Sequence, residues 1–305
     1  MRYLLRYTYA PLFAGGFIGG AIWLVGSRQV NELWLLALLL AAVFCAFVAE
    51  RLAPYQREWN RPQQDRWRDI CHALVNESLN LLGVLSIPLL ATWRPDFGLW
   101  PSAWPLVLQV LMAIVLADLG ITLMHWLSHR SALLWRLHAV HHSITRMYGF
   151  NGLMKHPLHQ GLEAAAGTVP LLLLGMPQQV AALLAFAIAI QLLLQHSNVD
   201  MRIGPLRHVF AWAPLHRFHH LKYGRAGDVN FALFFSLWDR LLGTAYYQPD
   251  YPVGSTDLGI GSQPHYPSGY LAHLLAPFRR QAEQPTPPLP DGLRRSEQQT
   301  QAQMR

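Results

Sequence analysis

Six stretches of this chain are too apolar for their length to be ordinary surface helices. Tyr9–Val25, Leu33–Ala49, Ala73–Thr92 and Leu106–Leu127 each approach the roughly twenty residues that a helix needs to cross a hydrocarbon layer. A further pair, Leu162–Leu174 and Val180–Leu194, is shorter and joined by LGMPQQ, which reads as a tight hairpin that does not fully cross. Lipid offers the backbone no hydrogen-bond partner, so such runs pair their own amides as helices. Apolar residues make up 52% of the chain and charged residues only 13%, in line with several buried spans. Arg2 and Arg6 precede the first run as in a signal peptide, but no small-x-small cleavage site follows, and the segment reads as a retained anchor.

The charges orient these spans. Of 24 basic residues, only Arg28 and Arg94 fall on the side opposite the N-terminus; the other 22 lie in segments that share its side. Cytoplasmic loops collect Lys and Arg, so the pattern predicts an even number of crossings with both termini cytoplasmic. A net charge of +7 could suggest nucleic acid, but arginines scattered between spans are topology signals, and no nucleic-acid partner is expected. Arginine outnumbers lysine 22 to 2, which points to a GC-rich bacterial genome and hence a bacterial inner membrane. Cys45 and Cys71 have no metal-ligand spacing, and a disulfide is not expected on the reducing side. Residues 50–71 form an arginine-rich loop, and the Pro-rich, then polar tail from about 285 is expected to be disordered. The fold class expected is all-α: a polytopic helical membrane bundle carrying a cytoplasmic, His-rich catalytic cap built from 129–160 and 196–248.

Eleven of the 15 histidines form five groups between His125 and His220: HWLSH, HAVHH, HPLH, QHSN and HRFHH. On a helix, i and i+4 share a face, as do i, i+3 and i+4. His125 and His129 can therefore present two imidazoles to one point. His138, His141 and His142 can present three, as can His216, His219 and His220. Each group sits at the cytoplasmic end of a span or just beyond it, so a bundle that gathers those ends gathers the imidazoles. A zinc site takes about four ligands, and eight or nine imidazoles imply two metals. Imidazole suits iron among others, and two redox irons could use dioxygen to attack a lipid C–H bond. Single histidines outside the groups, His72, His208, His265 and His273, read as amphipathic surface residues.

The stretch DLGITLMHWLSHRSALLWRLHAVHHSI resembles the signature of the fatty acid hydroxylase/sterol desaturase superfamily of integral-membrane di-iron enzymes. Its elements here are Asp118, His125, His129, Leu134-Trp135, and His138, His141 and His142. KHPLH, QHSN, PLHRFHH and GDVNFALFFSLWDRLLGTA resemble the later elements in the same order, so the likeness spans about 110–245. Thr122 and Phe231 stand where the family usually has tyrosine, which bears on tuning of the ligands and on substrate pose. The resemblance implies nine metal ligands: His125, His129, His138, His141, His142, His196, His216, His219 and His220, with His156 a weaker candidate. Metal-bound imidazoles give their other N–H to a carboxylate or carbonyl, which makes Asp118, Asp228, Asn230 and Asp239 candidate supports. Asp118 lies about 10 Å above His125 by helical rise, so its partner is expected on another helix. Asn76, Glu77 and Asn80 raise the same question in the third span. The chain divides into 1–104, N-terminal membrane helices with the arginine-rich loop; 105–248, the catalytic domain; and 249–305, the tail.

The activity implied is that of a membrane-bound non-haem di-iron oxygenase acting on a fatty acyl, sterol-like or ether lipid, with dioxygen as co-substrate and hydroxylation as the outcome. Desaturation within the same family is the alternative, and a membrane haem or metal carrier the alternative from another class. A metalloprotease would need a glutamate beside the ligands, and neither triple-histidine knot contains one. No nucleotide or flavin fingerprint is present, so electrons are expected from a separate ferredoxin or cytochrome with its reductase, or from a pterin. Arg202, Arg207, Lys222 and Arg225 are a candidate docking face for such a donor, although topology and contact with anionic headgroups account for them more simply.

Overall fold

The computed structural model describes residues 2–92 and 97–293. Among the described residues ten α-helices follow one another: α1 (Arg2–Ser27), α2 (Trp34–Leu52), α3 (Arg66–Ala91), α4 (Leu106–Ser128), α5 (Ala132–His142), α6 (Pro157–Leu173), α7 (Gln178–Gln195), α8 (Ala213–His219), α9 (Leu237–Leu242) and α10 (Tyr270–Leu275). Among the described residues three isolated β-bridges occur, and no strand. Helices α1, α2, α3, α4 and α7 are long and apolar enough to cross a membrane. The chain is therefore an all-α membrane protein. Helix α6, with 17 residues, is the short arm of the expected hairpin.

Burial sorts these helices by role. In α1, α2 and α3 between 17 and 28% of the apolar window is buried, against 78% in α7. The first three present Leu12, Leu40, Phe44, Leu82 and Leu89 outward, as a lipid-facing wall does, and α7 is the central post. Packing against lipid provides no hydrophobic drive between helices, so contact relies on close approach of small residues. Helices α4 and α6 meet at Gly120 and Gly167. A Cβ on Gly120 would lie 2.1 Å from the Ala166 carbonyl oxygen, so this crossing admits no side chain.

Six helix ends meet on one side: the N-termini of α1, α3 and α6 and the C-termini of α2, α4 and α7. Arg6 pairs with Asp200 at 2.6 Å, which ties the start of α1 to the segment after α7. Glu50, at the end of α2, accepts from the backbone N–H of Gly149 (2.6 Å) and of Asn198 (3.0 Å). Asp65 and Asp69, at the start of α3, bind Arg146 and the Tyr148 hydroxyl. These buried polar contacts are paired, as burial requires, and they fasten the loops after α5 and α7 to the bundle. A second apolar cluster, including Trp59, Met147, Met154, Phe218 and Leu258, forms the cap's own core.

Two sequence expectations differ from this picture. His72 and His273 are fully buried rather than on the surface: His72 Nε2 lies 3.1 Å from His273 Nδ1, and His72 Nδ1 lies 2.9 Å from the Lys155 carbonyl. Helix α10 folds back onto α3, and nothing local in the sequence signals that return. His208 and His265 are exposed, as read. The tail expected to be disordered from about 285 instead packs over 285–293, with Leu289 and Leu293 against the cap core; 294–305 lies outside the described residues.

Replacing Gly120 with alanine should force α4 and α6 apart at an overpacking cost of about 1–3 kcal/mol. In detergent, G120A is expected to melt below wild type. Gly83→Ala, on α3, where an added Cβ meets nothing within 4 Å, should not. Equal melting temperatures for G120A and wild type would contradict this packing.

Candidate metal centre

Nine histidines gather into two groups: His125, His129, His138, His142 and His219 in one, His141, His196, His216 and His220 in the other. Within each group the potential ligand atoms all lie within 4.8 Å of one another. The nine are those that the family resemblance implies. What the spacing did not show is that each knot divides. Helix α5 gives His138 and His142 to the first group and His141 to the second; α8 gives His219 to the first and His216, with His220 just beyond it, to the second. Side chains advance about 100° per residue around a helix, so i and i+4 point alike while i+3 stands well away from i+4. One HxxHH helix thus feeds two points, and two such helices feed both. The groups share a wall, where the rings of His142 and His220 lie 4.7 Å apart.

The hydrogen bonds on the far side of the rings decide what these groups can hold. His125 Nδ1 lies 2.7 Å from the Phe231 carbonyl, His219 Nδ1 2.9 Å from the Val229 carbonyl, and His141 Nδ1 3.0 Å from the Met154 carbonyl. His129 Nδ1 meets Asp228 at 2.9 Å and His196 Nδ1 meets Asn151 Oδ1 at 3.1 Å. All five partners are acceptors, so all five Nδ1 atoms carry hydrogen. Burial, reinforced by neighbouring imidazoles, pushes His138, His142, His216, His219 and His220 well below the ordinary histidine range. Burial and then the charge of Lys155 take His141 down to about 3. The rings are neutral, and five Nε2 atoms are bare lone pairs.

Those lone pairs face one another. His125 and His219 approach Nε2 to Nε2 at 2.8 Å, and His141 and His196 at 3.3 Å, with no hydrogen on either partner. His142 Nε2 lies 2.9 Å from His219 and 3.2 Å from His129. The His125–His219 and His141–His196 contacts, bare on both sides, repel unless a cation lies between them. Ligand nitrogens about 2.0–2.1 Å from a shared ion would be about 2.8–3.4 Å apart at ligand angles between about 90° and the tetrahedral value. The residues therefore fit a metal in each group. In His138, His216 and His220, Nδ1 is buried without a partner.

The candidate supporting residues act in two ways. Asp228 touches a ring directly, through His129. Asp118, Asp239 and Asn230 hold the loop that supplies the carbonyl acceptors. Asp118 accepts the backbone N–H groups of Leu233, Phe234 and Phe235 at 2.8–3.0 Å. Asp239 accepts those of Phe231 (2.6 Å) and Ala232 (3.0 Å). Asn230 donates to the Leu215 and Tyr246 carbonyls. The partner of Asp118 is thus loop backbone rather than another helix, because that loop folds back into the bundle. His156 stands outside both groups: its Nδ1 accepts from Leu158 N–H and its Nε2 lies 3.2 Å from the Leu274 carbonyl, so it caps α6.

Further side chains support the ligands, and of these Asn151 and Arg217 carry no signal in the sequence. Asn151 orients His196. Arg217, inside the last knot, points away from the groups and donates to the Ser197 and Val199 carbonyls, which ties α8 to the turn after His196. His159 stacks on His138 with ring centroids 4.6 Å apart and sits beside Glu163, which is ion-paired with Lys155. Phe231 lays its ring against His125, His129 and His219. Thr122 lies beside Asp118, at 3.4 Å.

A fatty acid hydroxylase family model matches residues 110–244. Ornithine lipid hydroxylase OlsE of Rhizobium tropici is 34% identical over 261 residues, which cover 83% of this chain and 78% of that protein. Alkylglycerol monooxygenase of Danio rerio is 27% identical over 175 residues, covering 55% of this chain and 38% of that protein. Methylsterol monooxygenase 1 of Gallus gallus is 28% identical over 148 residues, covering 47% and 48%. The chain spans less than half the length of these last two. No solved structure matches it.

Removing the Asp228 carboxylate frees the His129 ring. Asp228→Ala is expected to weaken metal binding by about 10–100-fold, read by competition with a chelator. An unchanged affinity would show that this hydrogen bond does not support the centre.

Proposed function

Given that the chain belongs to the fatty acid hydroxylase/sterol desaturase superfamily, we propose that it is an integral-membrane oxygenase that hydroxylates a lipid at a di-iron centre, with dioxygen as co-substrate. The observation that carries this reading is the convergence of unprotonated Nε2 atoms on two neighbouring points. The ligands would be His125, His129, His138, His142 and His219 for one iron and His141, His196, His216 and His220 for the other. Bound there, the two irons would supply the activation of dioxygen. Asp228, Asn151 and the carbonyls of Met154, Val229 and Phe231 hold a proton at each facing Nδ1 and so fix the rings. Phe231 keeps water from one side of the first group.

A lipid has a route to this site. An apolar cavity of about 300 Å³ lies between α3, α6 and α7 and ends at the polar side chains of Lys155, Gln160 and Glu163. Ile121 and Leu192, one helical turn before His125 and His196, also line it, so its floor borders the centre. A molecule with a long apolar part and one polar head fits this division. The relatives' names give ornithine lipid, alkylglycerol and methylsterol, which share that character. Hydroxylation is favoured over desaturation because these names are of hydroxylases and monooxygenases. Residues 105–248 would form the catalytic domain and 1–104 the outer wall of the lipid route. The excess of arginine at the site end supports a cytoplasmic centre in a bacterial inner membrane. Electrons would come from a separate ferredoxin or cytochrome with its reductase.

His141→Ala and His219→Ala remove one ligand from each group. Purified wild type should contain two irons per chain without a haem Soret band, and both variants should lose iron and turnover. Lipid mass spectrometry of cells expressing wild type should show a species heavier by one oxygen atom; a species lighter by two hydrogens would mark a desaturase. Full iron and full turnover in both variants would overturn the proposal.

A further inference from the structure

A centre closed off by a cap needs a way for electrons to reach it, and the inference below rests on the proposed redox-metal reading. Among the described residues, two aromatic side chains other than histidine pack against rings of the first group. Phe231 is fully buried. Trp135, on α5, is half-buried, and its ring centroid lies 5.0 Å from that of His129, 5.2 Å from that of His142 and 6.1 Å from that of His138.

Trp135 also lines a surface cleft of about 740 Å³ between α5 and the segments on either side of α10. Arg136, Arg279 and Arg280 line the same cleft and are exposed. Arg136 donates to the Arg279 carbonyl at 3.1 Å, which joins the two walls. None of the three guanidinium groups is in an ion pair among the described residues, and the one carboxylate lining the cleft is Glu283. Three like charges that line one cleft with Trp135, none of them in an ion pair among the described residues, repel one another. Their complement is a partner surface rich in carboxylates.

We propose that this cleft docks an acidic one-electron carrier protein, of iron–sulfur or haem type, and that Trp135 is the port through which its electrons reach the first group of histidines. Each reduced carrier gives up one electron and leaves oxidised, so two serve one turnover. Two electrons and two protons from water reduce one atom of dioxygen to water, while the other atom enters the substrate C–H bond. No bond at Trp135 forms or breaks, because the indole only couples donor to acceptor. The floor of the cleft is a ring in contact with the centre, a feature that a surface for anionic headgroups would not need.

The test uses the full-length protein in nanodiscs, with a reduced plant-type [2Fe–2S] ferredoxin and the soluble domain of a cytochrome b5 as probes. Combined reversal of Arg136, Arg279 and Arg280 to glutamate should weaken binding of at least one probe by about tenfold or more at low salt and abolish its salt dependence, in metal-free and iron-loaded protein alike. Trp135→Leu should leave probe binding and iron content unchanged but slow oxidation of the bound probe, and Trp135→Phe should restore most of the rate. Reduction by methyl viologen radical, which needs no docking, should proceed at the wild-type rate in Trp135→Leu. The proposal fails if wild type binds neither probe, if the charge reversal leaves binding intact, or if it weakens binding to phosphatidylglycerol vesicles alone. It also fails if Trp135→Leu loses iron or slows both reductants equally, since Trp135 would then be packing. Binding to the metal-free protein is independent of the di-iron reading, so failure of that reading is seen separately, in the iron content.

Discussion

The interaction on which the rest depends is the hydrogen bond on the back of five of the nine rings. An imidazole free to rotate or to exchange tautomers is a poor ligand, and nine of them in a small volume would pair with one another. Here five Nδ1 atoms are committed to acceptors that cannot donate back or do not. That commitment leaves the opposite nitrogens bare and aimed inward. Three of the five acceptors are backbone carbonyls, so the ligand geometry is set by loops, and the loops must be held to small tolerances.

Buried carboxylates and amides do that holding. The loop carrying Val229 and Phe231 is gripped by Asp239 and Asp118, which between them accept five backbone N–H groups. The turn carrying Asn151 is fixed by Glu50 through Gly149, and the same glutamate binds Asn198, two residues after His196. Asp118 and Glu50 belong to membrane-spanning helices. Charged groups are costly there unless they have partners, and here each finds several. The membrane helices therefore do more than anchor the cap: their ends position the loops that orient the histidines.

How much of this the sequence discloses depends on the range of the interaction. The spans are legible because hydropathy is a property of a local window, and the histidines because i, i+3 and i+4 spacing is local to a helix. Asp118 is legible as an anomaly, a carboxylate in an apolar run, but not as the partner of a loop 115 residues away. The division of each knot between two groups follows from helix geometry only once both helices are docked. His72 and His273 are indistinguishable from surface histidines until α10 is seen to return to α3, and Lys155, Glu163 and Asn151 carry no spacing signal at all. The tail is misread because its composition is that of a disordered segment, while Leu289 and Leu293 find a surface to cover.

The most direct measurement is an anomalous difference map of the iron-loaded protein, collected at the iron edge. Two peaks are expected, one ringed by His125, His129, His138, His142 and His219 and the other by His141, His196, His216 and His220. A single peak, a peak at His156, or none in protein that has been loaded with iron would contradict the account.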